Sequence, residues 1–272
     1  MWLGHKEEVM DRFNWRSVLA EHVWEEGKVI PIVDSSYRTR TVVTCYSKGR
    51  SKAKFANGEH SFGAYIELTR PDGTRISQGN SIVPVLPDGR LIMVVEQRPP
   101  QFRLPNQPTS IMVDGQIVDL RQFGPYSSVE FPGGAVDPQD GKFKAGFLKE
   151  LVEETEVPNQ TAIVCRRKPP LFAQGADLAL ESQISVVYLS NFGFEKHVKT
   201  DGGLDVMAVS PKDVQENIWA GNIRSAQAAL LGWAFYQEVE RAAREDTDDA
   251  ALMYLNMHYT GYLEVLHIEI GK

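Results

Sequence analysis

Apolar side chains recur along this chain with two periods. Over 6–26 they stand at near-helical spacing, at Val9, Phe13, Trp15, Leu19 and Val23, which predicts an amphipathic helix. Short runs of strand composition follow at 29–33 (VIPIV), 39–46 (TRTVVTCY), 62–68 (FGAYIEL) and 74–84. Asn57-Gly58 and Pro71-Asp72-Gly73 mark turns between them. Residues 1–79 therefore predict a mostly β region behind one helix.

A second unit is predicted over 80–243. Ser81–Leu86 and Leu91–Glu96 are apolar runs joined by Pro87-Asp88-Gly89, a hairpin turn. Residues 99–128 are rich in Pro and Gly, with Asp114-Gly115 between SIMV and QIVDL; an inserted hairpin, a candidate lid, is expected there. Residues 142–156 read as helix, and 161–166, 183–190 and 204–209 as strands. The last long helix is expected over about 223–243, with Ala226, Ala229, Leu230, Trp233 and Ala234 on one face. Glu245–Asp249 is an acidic break. The tail, 244–272, mixes Leu, Met, Tyr and Ile after that break and suits packing on the body or on a second subunit.

Composition narrows the classes. At about 150 residues per domain, 272 residues make two domains or one with extensions. The 29 basic and 36 acidic side chains give a net charge of -7, with no Lys/Arg-rich block, which argues against binding nucleic acid by neutralising phosphates. Cys45 and Cys165 stand far apart, so there is neither a CxxC nor a disulfide framework, and a reducing compartment fits. The opening MWLGHKEEVMDRF has no apolar core of the signal-peptide kind. The greasiest stretch, Ala226 to Tyr236, is about half of a membrane span. A cytoplasmic protein without membrane or nucleic-acid partners is the expectation.

The chemistry concentrates in Glu130–Val157, EFPGGAVDPQDGKFKAGFLKELVEETEV. Asp137 and Asp140 can cap a helix start, Pro138 suits a first turn, and Pro158 disfavours helical geometry at Val157. On that helix Phe143, Phe147, Leu148, Leu151 and Val152 make an apolar stripe. Glu150, Glu153 and Glu154 stand at i, i+3 and i+4 beside it. Three carboxylates on one arc repel, and the helix C-terminus disfavours anions, so a hard divalent cation is the natural compensation. Burial of Glu154 against Phe143 and Phe147 would raise its proton affinity. A solvated acidic face is the plainer reading of the trio alone. The Pro132-Gly133-Gly134 turn tips the balance, because it allows close backbone approach and offers carbonyl oxygens.

This segment resembles the Nudix box, G-x5-E-x7-R-E-U-x-E-E-x-G-U with U aliphatic. Gly134 matches the first Gly, and Lys149-Glu150-Leu151-Val152-Glu153-Glu154-Thr155-Glu156-Val157 the second half. The resemblance implies an α/β fold, a Nudix-type mixed sheet sandwiched between helices with an N-terminal helix and β extension. It implies that Glu150, Glu153 and Glu154 bind Mg2+ or Mn2+ and activate water on a pyrophosphate. Four departures touch the support of these carboxylates. Asp140 replaces a Glu, the gap to Lys149 is one residue longer, Lys149 replaces an Arg and its bidentate fork, and Glu156 replaces a Gly. A left-handed Glu156 would cost about 1 kcal/mol.

Over roughly 40–240 the arrangement is similar to the ADP-ribose pyrophosphatase branch of that family, through Val95-Glu96-Gln97-Arg98 and Glu130-Phe131-Pro132-Gly133-Gly134. This likeness implies a metal-binding carbonyl at Gly133 and places Gly175 in a substrate loop, with Gln174 where the branch has proline. It also makes Asp201 or Glu195 an extra ligand or base. Arg98 is a candidate phosphate holder through its fork, with a surface ion pair as the other reading. The branch further implies a homodimer through the N-terminal β region. His5, His22, His60, His197, His258 and His267 make no ligand spacing, and no serine sits in a nucleophile elbow. The expected activity is metal-dependent hydrolysis of ADP-ribose, a similar nucleotide sugar or a dinucleotide to monophosphates. A nucleotide-binding module with little turnover and an assembly role for 99–128 and 250–272 are the competing readings.

Overall fold

The computed structural model describes residues 22–33, 39–49, 61–69, 72, 78–98, 108–134, 148–167, 171–172, 181–192, 198–199, 205–223, 226–245 and 263–270. Two compact units divide the chain: Met1–Arg75 with Ala176–Ala179, and Ile76–Gly175 with Leu180–Lys272. The boundary expected at 79/80 lies inside a strand, and the units part at 75/76.

In the first unit, β1 (His22–Val33), β2 (Thr39–Gly49) and β3 (Ser61–Thr69) form an antiparallel sheet in that order. The helix predicted over 6–26 lies outside the described residues up to 21; over 22–26 the chain is strand instead. Val and Trp suit a pleated strand, and pairing with β2 reaches His22↔Gly49, so the ladder overrides the helical spacing.

The second unit is a mixed sheet. Its elements are β4 (Gln78–Val85), β5 (Leu91–Gln97), β6 (Ser110–Val113), β7 (Gln116–Asp119), a 3-10 turn (Leu120–Phe123), β8 (Ser127–Glu130), α1 (Lys149–Thr155), β9 (Gln160–Arg167), β10 (Leu171–Phe172), β11 (Glu181–Leu189), β12 (Val198–Lys199), β13 (Asp205–Val209), α2 (Pro211–Trp219), α3 (Ala226–Glu245) and β14 (Leu263–Ile270). The order is β12-β13-β5-β4-β11-β9-β14, with β8 also on β5 and β10 on β11. β4 and β11 run parallel from Glu181↔Gln78 to Tyr188↔Val85; the other pairs are antiparallel.

Strand alternation sorts the core into two layers. Leu91, Met93 and Val95 face the cluster that includes Val214, Ala229, Trp233, Tyr236 and Val239, from α2 and α3. Ile92 and Val94 face the cluster that holds Leu148 and Leu151, at α1. The sheet is thus covered by α1 on one side and by α2 and α3 on the other. Leu151 is fully buried, and burial of such a side chain is worth about 1.5–3 kcal/mol.

Two expectations change, and between two placements of the tail one is realised. The stripe on α3 runs through Ala229, Trp233, Tyr236 and Val239, while Leu230 and Ala234 face outward, so the helix is rotated from the expected face. The hairpin forms as β6–β7 around Asp114 and Gly115, both at positive φ (48° and 75°), as a primed turn requires. It is no lid over α1. Ile111 and Leu120 pack into the α2/α3 layer, and Asn217 clamps Met112 by two bonds, Nδ2 to its carbonyl (2.7 Å) and Oδ1 from its N–H (2.8 Å). Of the tail, the described part is β14, which pairs along β9 from Leu263↔Arg167 to Ile270↔Gln160 and so packs on the body.

α1 ends at Glu156, whose φ of 52° and ψ of 32° are left-handed, with its N–H bonded to the Val152 carbonyl at 3.0 Å. A side chain is strained there, and only part of the relief is offset by glycine's entropy. Glu156→Gly is expected to stabilise the protein by about 0.5–1 kcal/mol. The check is a higher urea midpoint at unchanged slope.

Candidate functional site

After β8 the chain crosses from β5 to β4. Glu130 pairs with Val94 of β5; then the Ile82 N–H donates to the Pro132 carbonyl (2.9 Å) and the Asn80 N–H to the Gly134 carbonyl (2.8 Å). β4 thereby takes the carbonyls on either side of Gly133, whose own carbonyl the resemblance nominates as a ligand. Both glycines are required by space. A Cβ on Gly133 would lie 2.3 Å from the Asn80 carbonyl oxygen, and one on Gly134 2.7 Å from Glu150 Oε1. The missing side chain at 134 is what lets the Glu150 carboxylate come down on the turn.

α1 supplies the next groups. Leu148 and Leu151, both buried, fix its rotation. Glu150 and Glu154, one turn apart, then face the glycines. Glu154 Oε2 accepts from the Gly133 N–H at 3.0 Å. Glu153 is turned to the exposed side, its side chain 56% accessible and 3.7 Å from Lys149 Nζ. The expected trio therefore divides: Glu150 and Glu154 enter the site and Glu153 does not. Glu153→Gln is expected to leave stability within about 0.5 kcal/mol and divalent-ion affinity within about twofold, checked by calorimetry.

The end of β5 completes the cluster. Glu96 and Arg98 share a sheet face with Val94, and Glu130 is diagonal to Glu96 across the β5–β8 ladder. Arg98 grips Glu130 with both oxygens, Nε to Oε1 at 2.9 Å and Nη2 to Oε2 at 3.2 Å, and its Nη2 lies 2.5 Å from Glu96 Oε2. Those nitrogens serve carboxylates rather than a phosphate, so here Arg98 aligns Glu130 and Glu96. Neither glutamate was singled out from the sequence, although both lie in the quoted segments at Val95–Arg98 and Glu130–Gly134.

The electrostatics bind these groups into one site. Burial pushes Glu154 up to about 8; the Gly133 N–H opposes this, while Glu150, Glu96 and Glu130 add to it. Burial likewise raises Glu96 to about 7, with Arg98 offsetting only part and Glu130 and Glu150 adding. Among the described residues no three His, Cys, Asp or Glu side chains stand as a ready-made ligand cage. Glu130 and Glu96 are held by Arg98, and Glu154 by the Gly133 N–H. The donor set is nonetheless all oxygen, anionic and half-buried, which suits Mg2+ or Mn2+. Asp140, Gly175, Glu195 and Asp201 lie outside the described residues, as do Phe143 and Phe147.

Fold and site together define a mixed α/β protein with a carboxylate cluster beneath a short helix. No protein-family model matches the chain, and no curated protein matches it significantly. Among the described residues no helix is long and apolar enough to cross a membrane.

Proposed function

We propose that this chain is a Nudix-type pyrophosphohydrolase that cleaves a nucleoside-diphosphate linkage, in ADP-ribose or a similar nucleotide sugar, using Mg2+ or Mn2+. The observation that carries the reading is the convergence of Glu150 and Glu154 on the Gly133-Gly134 turn beside Glu96 and Glu130. Glu150 and Glu154 would hold the cation, with Glu96 and Glu130 at its flank; Gly133 adds a carbonyl in the resemblance. A bound cation supplies positive charge against the diphosphate oxygens and makes water more acidic. Water attacks one phosphorus, the bond from that phosphorus to the bridging oxygen breaks, and two monophosphates result. A carboxylate takes the water's proton: Glu154 is the described candidate, and Asp201 or Glu195 a candidate outside the described residues. Arg98 keeps the flanking carboxylates in register. The cytoplasm and a homodimer belong to the same reading; light scattering at the 30.5 kDa monomer mass would reject the dimer.

The test is a screen of ADP-ribose, other nucleotide sugars and dinucleotides with Mg2+ and Mn2+. Release of AMP and ribose 5-phosphate that EDTA stops is expected. The second reading, a nucleotide-binding module with little turnover, draws on Lys149, whose Nζ lies 3.7 Å from the exposed Glu153. Binding of ADP-ribose without turnover in either metal would favour it.

A further inference from the structure

We propose that Asn80 and Ser128 extend the carboxylate site as positioning residues, lining the space of the hydrated divalent cation and accepting hydrogen bonds from its outer water. The inference rests on the metal-dependent reading above. It starts from three polar atoms. Asn80 is 6% exposed and Ser128 4%, yet among the described residues Asn80 Nδ2, Asn80 Oδ1 and Ser128 Oγ have no hydrogen-bond partner. Buried polar atoms are nearly always bonded, and leaving them unbonded is unfavourable, so such groups call for a partner from outside the chain.

Their position says which partner. Residues 80 and 82 share a face of β4, and Ile82 belongs to the layer under α1, so the Asn80 amide lies on the side that α1 covers. Its backbone partner across the ladder is Gly134, the residue whose absent side chain is replaced by the Glu150 carboxylate. Ser128 stands opposite Glu96 in the β5–β8 register, on the same face. Val129, between Ser128 and Glu130, faces the other layer, which confirms the alternation. The two unbonded side chains thus flank the carboxylates, Asn80 from β4 and Ser128 from β8. Mg2+ keeps several of its waters when protein-bound. Those waters are strong donors, and the amide and hydroxyl oxygens are acceptors of neutral charge beside carboxylates already crowded with negative charge. An apolar residue at either place would pack without desolvation cost.

The experiment is Mn2+ titration of the full chain, followed by the electron paramagnetic resonance of unbound Mn2+. It compares wild type, Asn80→Leu, Asn80→Asp, Ser128→Ala and Glu154→Gln. Asn80→Leu and Ser128→Ala are each expected to weaken binding about 10-fold or more. Asn80→Asp keeps an acceptor oxygen in place and is expected to bind at least as tightly as wild type. If Glu154→Gln loses affinity while Asn80→Leu and Ser128→Ala both keep it, this inference is overturned and the metal site stands. If wild type binds no Mn2+, or Glu154→Gln binds it unchanged, both fall. Should Asn80→Leu fail to fold, Ser128→Ala, which removes a single hydroxyl, decides the matter.

Discussion

Glu154→Gln is expected to make the metal-free protein more stable at about pH 8, by roughly 1–3 kcal/mol, while cutting metal-dependent hydrolysis on the order of 10³-fold. The two effects share one cause. Glu154 is held among Glu150, Glu96 and Glu130 in a half-buried place where its ionised form is disfavoured. Glutamine fills the same volume, and its amide oxygen still accepts from the Gly133 N–H. The fold therefore loses an unfavourable charge and keeps the bond. Catalysis loses a cation ligand and a proton acceptor. Stability lost in this way and recovered by an inactive variant is the usual mark of a site maintained against the interest of the fold. Thermal unfolding in EDTA and initial rates with Mg2+ check the two halves. A variant less stable than wild type in EDTA, or one with wild-type turnover, contradicts the assignment.

The second large effect is on pH dependence. Glu154 sits at about 8 in the folded chain against an ordinary 4.5, and Glu96 at about 7 against the same 4.5. Both shifts are upward. Between these limits the folded state binds more protons than the unfolded state, so metal-free stability falls as pH rises. The contribution of these groups is fully present below about pH 4.5 and lost as pH passes through about 7 and 8. Added Mg2+ acts in the opposite sense, since it binds the ionised carboxylates and stabilises the folded form by mass action. The expected result is a metal-free Tm that declines from about pH 5 to 8, with an Mg2+-induced rise in Tm larger at about pH 8 than at 5.5. A flat or rising metal-free profile, or an Mg2+ effect larger at the acid end, would speak against the cluster.

Local chemistry was legible in the sequence wherever one element decides it. The i, i+4 spacing of Glu150 and Glu154 and the double glycine put their carboxylates on the turn, and the apolar Leu148 and Leu151 set the rotation. Spacing alone could not separate Glu153 from its neighbours. Its departure depends on how far α1 is rolled against the sheet, and that is a property of packing. Glu96 and Glu130 come from strands separated by the β6–β7 hairpin, and their meeting depends on the β5–β8 register, which the sequence states only weakly. The same limit explains the hairpin. Asp114-Gly115 announced the turn, but which face of the sheet it lies on follows from Asn217 reaching the Met112 backbone. α2 was missed although its start is signalled locally: Ser210 accepts from the Asp213 N–H at 3.1 Å and Pro211 opens the helix. At β1, strand pairing replaced the end of the expected helix at 22–26, where Val23 alone of its five apolar residues is described.

The most direct measurement of the central claim is the anomalous scattering of crystals of the full chain soaked in Mn2+. The account predicts a peak within coordination distance, about 2–2.6 Å, of both the Glu150 and Glu154 carboxylates, beside the Gly133-Gly134 turn. A peak elsewhere, or none while those two side chains stay in their metal-free positions, would contradict it.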